Sequence, residues 1–444
     1  MKKMRLGEIA DVIAGQSPPS KTYNSTKDGL PFFQGKADFQ EKHPKIRMWC
    51  NSKKRKEAEP GDILISVRAP VGSVNLCDRL SIIGRGLSAI RPRSGIHADY
   101  LYYFFKMNED RVAILGTGST FKSITQDILK KIEVPVPYQN GSPDLDDQTR
   151  IAILLSKVES LIARRKKSIA DLDELLKNTF LEMFGDPVRN EMGWEKIKIG
   201  EIASIRIGPF GSLLHAEDYV KDGIPLINPS NMVDGKIVPD KNLSLSQEKY
   251  NELKNYHLER NDVVVARRGE IGRCAIVETD SHLFCGTGSM FVRITKKYYP
   301  IFLQFQIYQT SLKDFLESKS KGVTMKNLNS KILSQLKVLK PPLELQTEFV
   351  TIVEKVEALK EKYQNSLNDL ETLYGALSQK AFKGELDLSR IAISEELKPK
   401  DIKMDAPQVR NPDLTVQDES VKTQETREQF LMSGRRTEKT RTIF

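Results

Sequence analysis

The sequence predicts an α+β fold laid down twice on one chain. Two tandem domains with short-stranded, curved sheets are joined by two long helices that form an antiparallel coiled coil with pseudo-twofold symmetry. Three observations lead there. The 444-residue chain repeats itself with a period of roughly 200 residues, far longer than a solenoid unit and the size of a whole domain. Each copy opens with short β-rich runs punctuated by Gly and Pro around one helical stretch, the mixed content of the α+β class. Each copy then passes into a near-heptad apolar stripe.

Met1-Lys-Lys-Met-Arg-Leu-Gly-Glu-Ile-Ala10 returns as Trp194-Glu-Lys-Ile-Lys-Ile-Gly-Glu-Ile-Ala203, and Gly15 is answered by Gly208. Glu59-Pro-Gly-Asp-Ile-Leu-Ile-Ser-Val-Arg-Ala-Pro-Val-Gly72 returns as Glu259-Arg-Asn-Asp-Val-Val-Val-Ala-Arg-Arg-Gly-Glu-Ile-Gly272. Asp62 to Arg68 reads as a buried strand, with Val71 to Leu76 following across a turn at Ala69-Pro70. Tyr100 to Phe105 has strand composition, but its counterpart, Phe302 to Leu316, is too long for a strand and alternates like a helix. Both are read as helix.

Near Gln148 the period changes. Ile151, Leu154, Leu155, Val158, Leu161, Ile162, Ile169, Leu172, Leu175 and Leu176 recur at spacings of three and four. Beyond Gln346 the pattern returns with Phe349, Ile352, Val353, Val356, Leu359, Tyr363, Leu367, Leu370, Leu373, Tyr374 and Leu377, most of them matching at one constant offset. About 35 residues of helix make a rod of about 50 Å. Pro341-Pro342 and Glu344 suit the start of the second helix, and Phe184-Gly-Asp-Pro187 stops the first. A long helix with one apolar stripe needs a partner. Pairing the two in cis, antiparallel, places the domains at opposite ends. The alternatives are that each helix packs on its own domain or pairs with a second copy. The expected divisions are 1–147 for the first domain, 148–186 for its helix, 187–340 for the second domain, 341–386 for its helix, and 387–444 for a mostly disordered tail.

Composition is that of a soluble protein, and no apolar run reaches the roughly 20 residues of a membrane span. Met1-Lys-Lys leads into Gly, Glu and Asp and not into an apolar segment, so no signal peptide is expected. The four cysteines (Cys50, Cys77, Cys274, Cys285) lack metal spacing, and only Cys274 and Cys285 are close enough to meet across adjacent strands. Buried thiols and a cytoplasmic location are expected. The net charge of +10 sits on the folded part. A basic surface favours polyanions through counterion release.

Several motifs resemble catalytic ones and fail on inspection. Phe284-Cys-Gly-Thr-Gly288 matches an adenosylmethionine-binding signature, but Ser289 to Thr295 reads as strand where a helix is needed, and Asn228-Pro-Ser-Asn231 misses the companion catalytic motif. Gly116-Thr-Gly-Ser-Thr-Phe-Lys-Ser123 resembles a phosphate-binding loop with Phe121 where glycine must stand. The shared kernel with Lys321 to Asn327 is a small polar loop carrying Lys122 or Lys326, suited to a DNA phosphate or to solvent. His43, His97, His215, His257 and His282 form neither a triad pattern nor a zinc spacing. No catalysis and no metal site are expected on this chain.

Arginines near strand turns are the better candidates. Arg68 aligns with Arg268, Arg267 stands beside the latter, and Arg85 lies in a glycine turn aligned with Gly286 to Gly288. A guanidinium fork reads guanine edges or grips phosphate, although a solvent-facing salt bridge is the commoner fate of any one arginine. Polar loops that differ between the copies add Gln16, Ser17, Lys21, Lys36, Phe210, Ser212, Asn231 and Lys236 as candidate DNA-binding residues.

Leu6-Gly-Glu-Ile-Ala10 leading to Gly15-Gln-Ser-Pro-Pro19 is one of several segments that point to a known family. The others are Pro60-Gly-Asp-Ile through Arg68-x-Pro-Val-Gly72, the Gly-Ser-Thr-Phe-Lys122 loop, and Pro341-Pro342-Leu-Glu-x-Gln346 entering a helix. Together they resemble the specificity subunit of a type I restriction–modification system, over about residues 1 to 390. Pro137 to Asp147 departs from the compact form of the family and lengthens a linker. The resemblance implies two target recognition domains, each reading one block of a split, asymmetric site on double-stranded DNA, with the helices fixing the gap. It implies two methyltransferase subunits on the helices' outer faces, which carry adenosylmethionine and flip an adenine. Restriction subunits with a nuclease and a motor using ATP and magnesium would complete the assembly. The rival readings are the recognition subunit of a related, non-type-I system, a self-contained enzyme whose motifs are missing, and a non-catalytic coiled-coil scaffold.

Overall fold

The computed structural model describes residues 1–118, 122–210, 213–280, 282–320 and 327–393. Ser212, Lys326 and the expected 387–444 tail beyond residue 393 lie outside the described residues. In the first domain a four-stranded antiparallel sheet runs in the order Ala10–Ala14, Leu87–Pro92, Ile63–Ser66, Val74–Leu76. A five-stranded sheet follows the order Tyr23–Asn24, Trp49–Cys50, Leu30–Phe33, Ser81–Ile83, Glu57–Ala58, with Leu30–Phe33 and Ser81–Ile83 parallel. The second domain repeats the first sheet as Ala203–Ile207, Ser289–Ile294, Val263–Ala266 and Cys274–Ile276, and extends it by Lys236–Ile237 and Met232–Val233. Its second sheet again joins Ile224–Ile227 to Leu283–Cys285 in parallel.

The continuous apolar run Ile63–Ser66 is buried at every position because the sheet is covered on both faces. Ile63 and Ile65 join a core shared with the helices, while Leu64, pointing the other way, packs with Phe33, Ile83 and Leu87. Val263 and Val265 against Val264 and Ala266 divide in the same manner. The segment Tyr100 to Phe105 is helical, within Ala98–Met107, and all six of its residues are buried. Its counterpart is two helices, Pro300–Tyr308 and Thr310–Lys319, broken where Gln309 turns extended. Cys274 and Cys285 do not face each other: they stand on strands of different sheets, and all four cysteines are buried free thiols. Burial pushes the Cys274 thiol up to about 12.

The long helices span Leu145–Phe184 and Leu343–Lys383, 40 and 41 residues, or about 60 Å each. The first starts upstream of Gln148, where the Asp144 carboxylate accepts from the Asp147 amide at 3.0 Å. The added length before it forms a small hairpin of Tyr138–Gln139 and Ser142–Pro143. Gln148 and Gln346 fasten the helix starts to their domains, their side-chain oxygens accepting from the amides of His97 (2.9 Å) and Tyr299 (3.2 Å).

The helices pair with each other, antiparallel. Lys360 reaches Asp173 at 2.6 Å, Lys166 reaches Glu371 at 2.9 Å, and the Arg165 guanidinium lies over the Tyr363 ring. Each domain core is completed by the start of one helix and the end of the other. Ile151, Leu155, Ala381 and Phe382 enter the first domain's core, and Phe180, Phe184, Phe349 and Val353 the second's. Leu386 and Leu388, past the helix end, still pack against the first domain. Part of the stripe stays outside. Leu161, Leu175, Leu359 and Leu373 are 45%, 49%, 37% and 46% exposed, because one helix pair can cover only one seam and these positions fall on its flanks.

Candidate nucleic-acid interface

Four segments of the first domain meet backbone to backbone around the turn Gly84-Arg85-Gly86. The Gly84 amide donates to Phe33 O (2.8 Å), Gln16 to Ile83 O (3.0 Å), Val67 to Gly86 O (2.9 Å), and Arg85 to Ser17 Oγ (3.3 Å). The approach is too close for side chains at the crossings. A Cβ on Gly15 would lie 2.2 Å from Gly84 O, and one on Gly86 2.3 Å from Gln34 O. The side chains that remain line an open concavity of about 540 Å3: Ser17, Tyr23, Gln34, Lys36, Arg68 and Arg85 among them.

The second domain repeats the frame. Gly286 donates to Ile227 O (3.0 Å), Gly208 to Ser289 O (3.0 Å) and Arg267 to Gly288 O (3.0 Å), and a Cβ on Gly208 would lie 2.0 Å from Gly286 O. Thus Ser17 corresponds to Phe210, Gln34 to Asn228, Arg85 to Thr287 and Arg68 to Arg268. The ends of the lysine-bearing loops also correspond: Arg68 bridges Ser123, and Arg268 bridges Asn327.

Charge separates two kinds of arginine. Arg91 is bidentate on the buried Asp62 (2.9 and 2.8 Å), and Arg293 on the buried Asp262 (2.9 and 2.7 Å). Those bonds raise both guanidinium pKa values. Arg93 pairs with Asp11, Arg55 with Glu57, and Arg273 with Glu270. Among the described residues no carboxylate pairs with Arg68, Arg85 or Arg268, and all three are exposed. Arg267 is 6% exposed, donates to Asn327 Oδ1 at 3.3 Å, and lies 6.0 Å from the Phe210 ring. Burial and then the neighbouring Arg268 charge lower its pKa. Exposed cations without paired carboxylates among the described residues favour anions at this surface.

The structure sorts the sequence candidates. Ser17, Lys36, Arg68 and Arg85 converge on the concavity, Gln16 and Lys21 flank it in the same exposed segment, and Lys122 is carried to Arg68 by the Ser123 bridge. Phe210, Arg267 and Arg268 form the matching group. Asn231 and Lys236 do not join it. Asn231 is 5% exposed, and both ends of its amide are engaged, with Asn228 N (3.0 Å) and Val238 O (3.1 Å). Lys236 turns to the second long helix and pairs with Glu357 at 2.6 Å. Burial opposes the Glu357 charge, but the bonds from Lys236 and Lys360 win and lower its pKa.

The family model for the type I restriction modification DNA specificity domain matches residues 1–174 and 191–371, once per copy. The chain belongs to that family. It is 35% identical over 191 residues to the putative type I restriction enzyme MjaX specificity subunit of Methanocaldococcus jannaschii, covering 40% of this chain and 43% of that one. It is 27% identical over 361 residues to the MjaIX specificity subunit of the same organism, covering 74% and 79%. The S subunit of a type I restriction–modification system from M. genitalium superimposes with a TM-score of 0.51 at 18% identity, covering 86% and 96%.

For this member of the specificity family, Phe284 to Gly288 is a strand end and a turn leading into the strand Ser289–Ile294, not the strand-to-helix turn of a cofactor loop. Among the described residues no group of His, Cys, Asp and Glu could hold a metal, and no helix is long and apolar enough to cross a membrane. Gln34 and Tyr23 line the concavity but were not legible in the sequence, whereas Ser20 falls within the polar loop from Gln16 to Lys21. Gln34 borders Gly35-Lys36 at the end of a strand, and that adjacency was the one available sign.

Proposed function

We propose that this chain chooses the DNA site for a type I restriction–modification complex. Each domain reads one block of a split, asymmetric site, and the paired helices set the gap between blocks. One observation carries the reading: Arg68 and Arg268, exposed and without carboxylates among the described residues, occupy equivalent turns in two domains held at opposite ends of one rod. A surface of that kind binds phosphate and base edges, and half-site separation follows from protein geometry. The partners are two methyltransferase subunits and the restriction subunits. The flanking leucines support the number two. Leu161 and Leu175 on one helix answer Leu359 and Leu373 on the other at the repeat's constant offset, so any surface they offer occurs twice. Adenosylmethionine, ATP and magnesium belong to those partners.

Modification-sensitive sequencing tests this reading in a host carrying the chain with its methyltransferase partner, against a host lacking only this chain. Methyladenine at one split motif with a fixed gap is expected in the first host alone. A contiguous motif, or the same motif without the chain, would overturn it.

A further inference from the structure

The two copies hold one frame but read different blocks, and that permits a separation by role, resting on the reading above. A contact that any DNA sequence offers should be kept in both copies; a contact that distinguishes sequences should differ. Arg68 and Arg268 are the kept pair. Both sit one residue past the strand–turn crossing, and both bridge the residue that ends the lysine-bearing loop. Arg85 is not kept, since Thr287 takes its place at the same turn.

Arg85 also has the geometry of a reader. Its backbone is held on both sides: Gly84 donates to Phe33 O and accepts from Leu87 N, Gly86 accepts from Val67 N, and the Arg85 amide itself donates to Ser17 Oγ. A Cβ at Gly86 would strike Gln34 O at 2.3 Å, so the turn has one seating. From that fixed base an exposed guanidinium, unpaired among the described residues, faces the concavity it shares with Gln34 and Ser17. Arginine carries donors only. In the major groove guanine alone presents two acceptors, N7 and O6, at the spacing of the fork; adenine offers one acceptor and one donor.

We infer that Arg85 is a specificity-determining residue that reads a guanine in the block recognised by the first domain, whereas Arg68 and Arg268 grip phosphate in both blocks. Thr287 has no fork, so no such contact arises from the second domain's turn.

The test uses the assembled complex and three variants, Arg85→Ala, Arg85→Lys and Arg68→Ala, read by modification-sensitive sequencing and by binding to duplexes carrying the motif. The wild-type block assigned to residues 1–140 contains an invariant G·C pair. Arg85→Ala relaxes that one position, with discrimination against A·T falling about ten- to hundred-fold, while the gap and the other block stand. Arg85→Lys keeps the charge but not the fork, and does not restore the discrimination. Arg68→Ala leaves the motif intact, weakens binding to all duplexes, and reduces the salt-dependence slope by about one. A motif unchanged in Arg85→Ala, a relaxed position in the second block, or full rescue by Arg85→Lys would overturn the inference while leaving the split-site reading in place. Loss of that reading would instead show as no split motif in the wild type.

Discussion

At the residue scale, the duplication lets arginines paired to buried carboxylates be told from exposed, unpaired ones among the described residues. Asp62 and Asp262 are 2% and 1% exposed; each accepts a bidentate arginine and also caps the preceding turn through Glu59 N or Glu259 N at 2.8 Å. Replacing Asp62 with Asn leaves Arg91 only the half-exposed Glu59, at 2.8 Å, as a counter-ion and should lower unfolding stability by about 2 kcal/mol. That is less than for a fully buried pair, since the Arg91 side chain keeps 31% of its surface in water. A chemical-denaturation midpoint measures it, and a loss under about 0.5 kcal/mol, the level of an ordinary surface substitution, would show the pair to be ornamental. Arg68 and Arg268 were legible in the sequence because they recur in register. Asn231 and Lys236 stand apart from the group around the turn for a physical reason. Polar loop composition does not say whether a side chain finds water, a backbone carbonyl as Asn231 does, or a helix carboxylate as Lys236 does.

At the element scale, periodicity revealed the rod and its partner, since two matching stripes on one chain satisfy each other. It did not reveal which stripe members stay wet. Leu161 and Leu155 look alike in the pattern, yet only Leu155 meets a domain core. Nor does it give the start of the first helix, which Asp144 caps upstream of Gln148, whereas Pro341-Pro342 and Glu344 do mark the start of the second at Leu343. If the rod sets the gap, inserting one heptad into each helix, at facing positions near Arg165 and Tyr363, should lengthen it by about 10 Å. That corresponds to about three base pairs. The modified motif should then show a gap longer by about that amount, or vanish if the domains no longer address one face of the duplex. An unchanged gap would mean that something other than the helices fixes it.

For the whole molecule, the arrangement is two domains and a helical rod, each domain anchored by the start of its own helix and the end of the other's. Phe184 and Phe382 hold corresponding places in the two cores, so the halves mirror each other in packing while differing in the concavity and its counterpart. The sequence conveyed this division through order and duplication. On the proposed reading the blocks depend on side chains at the turns, whose placement is a matter of tertiary geometry. The most direct test replaces residues 1–140 with the corresponding segment of a family member of known, different specificity, and sequences the methylated sites. One block should change to that of the donor, with the other block and the gap retained. A change in the block at the far end, or in both, would contradict the account.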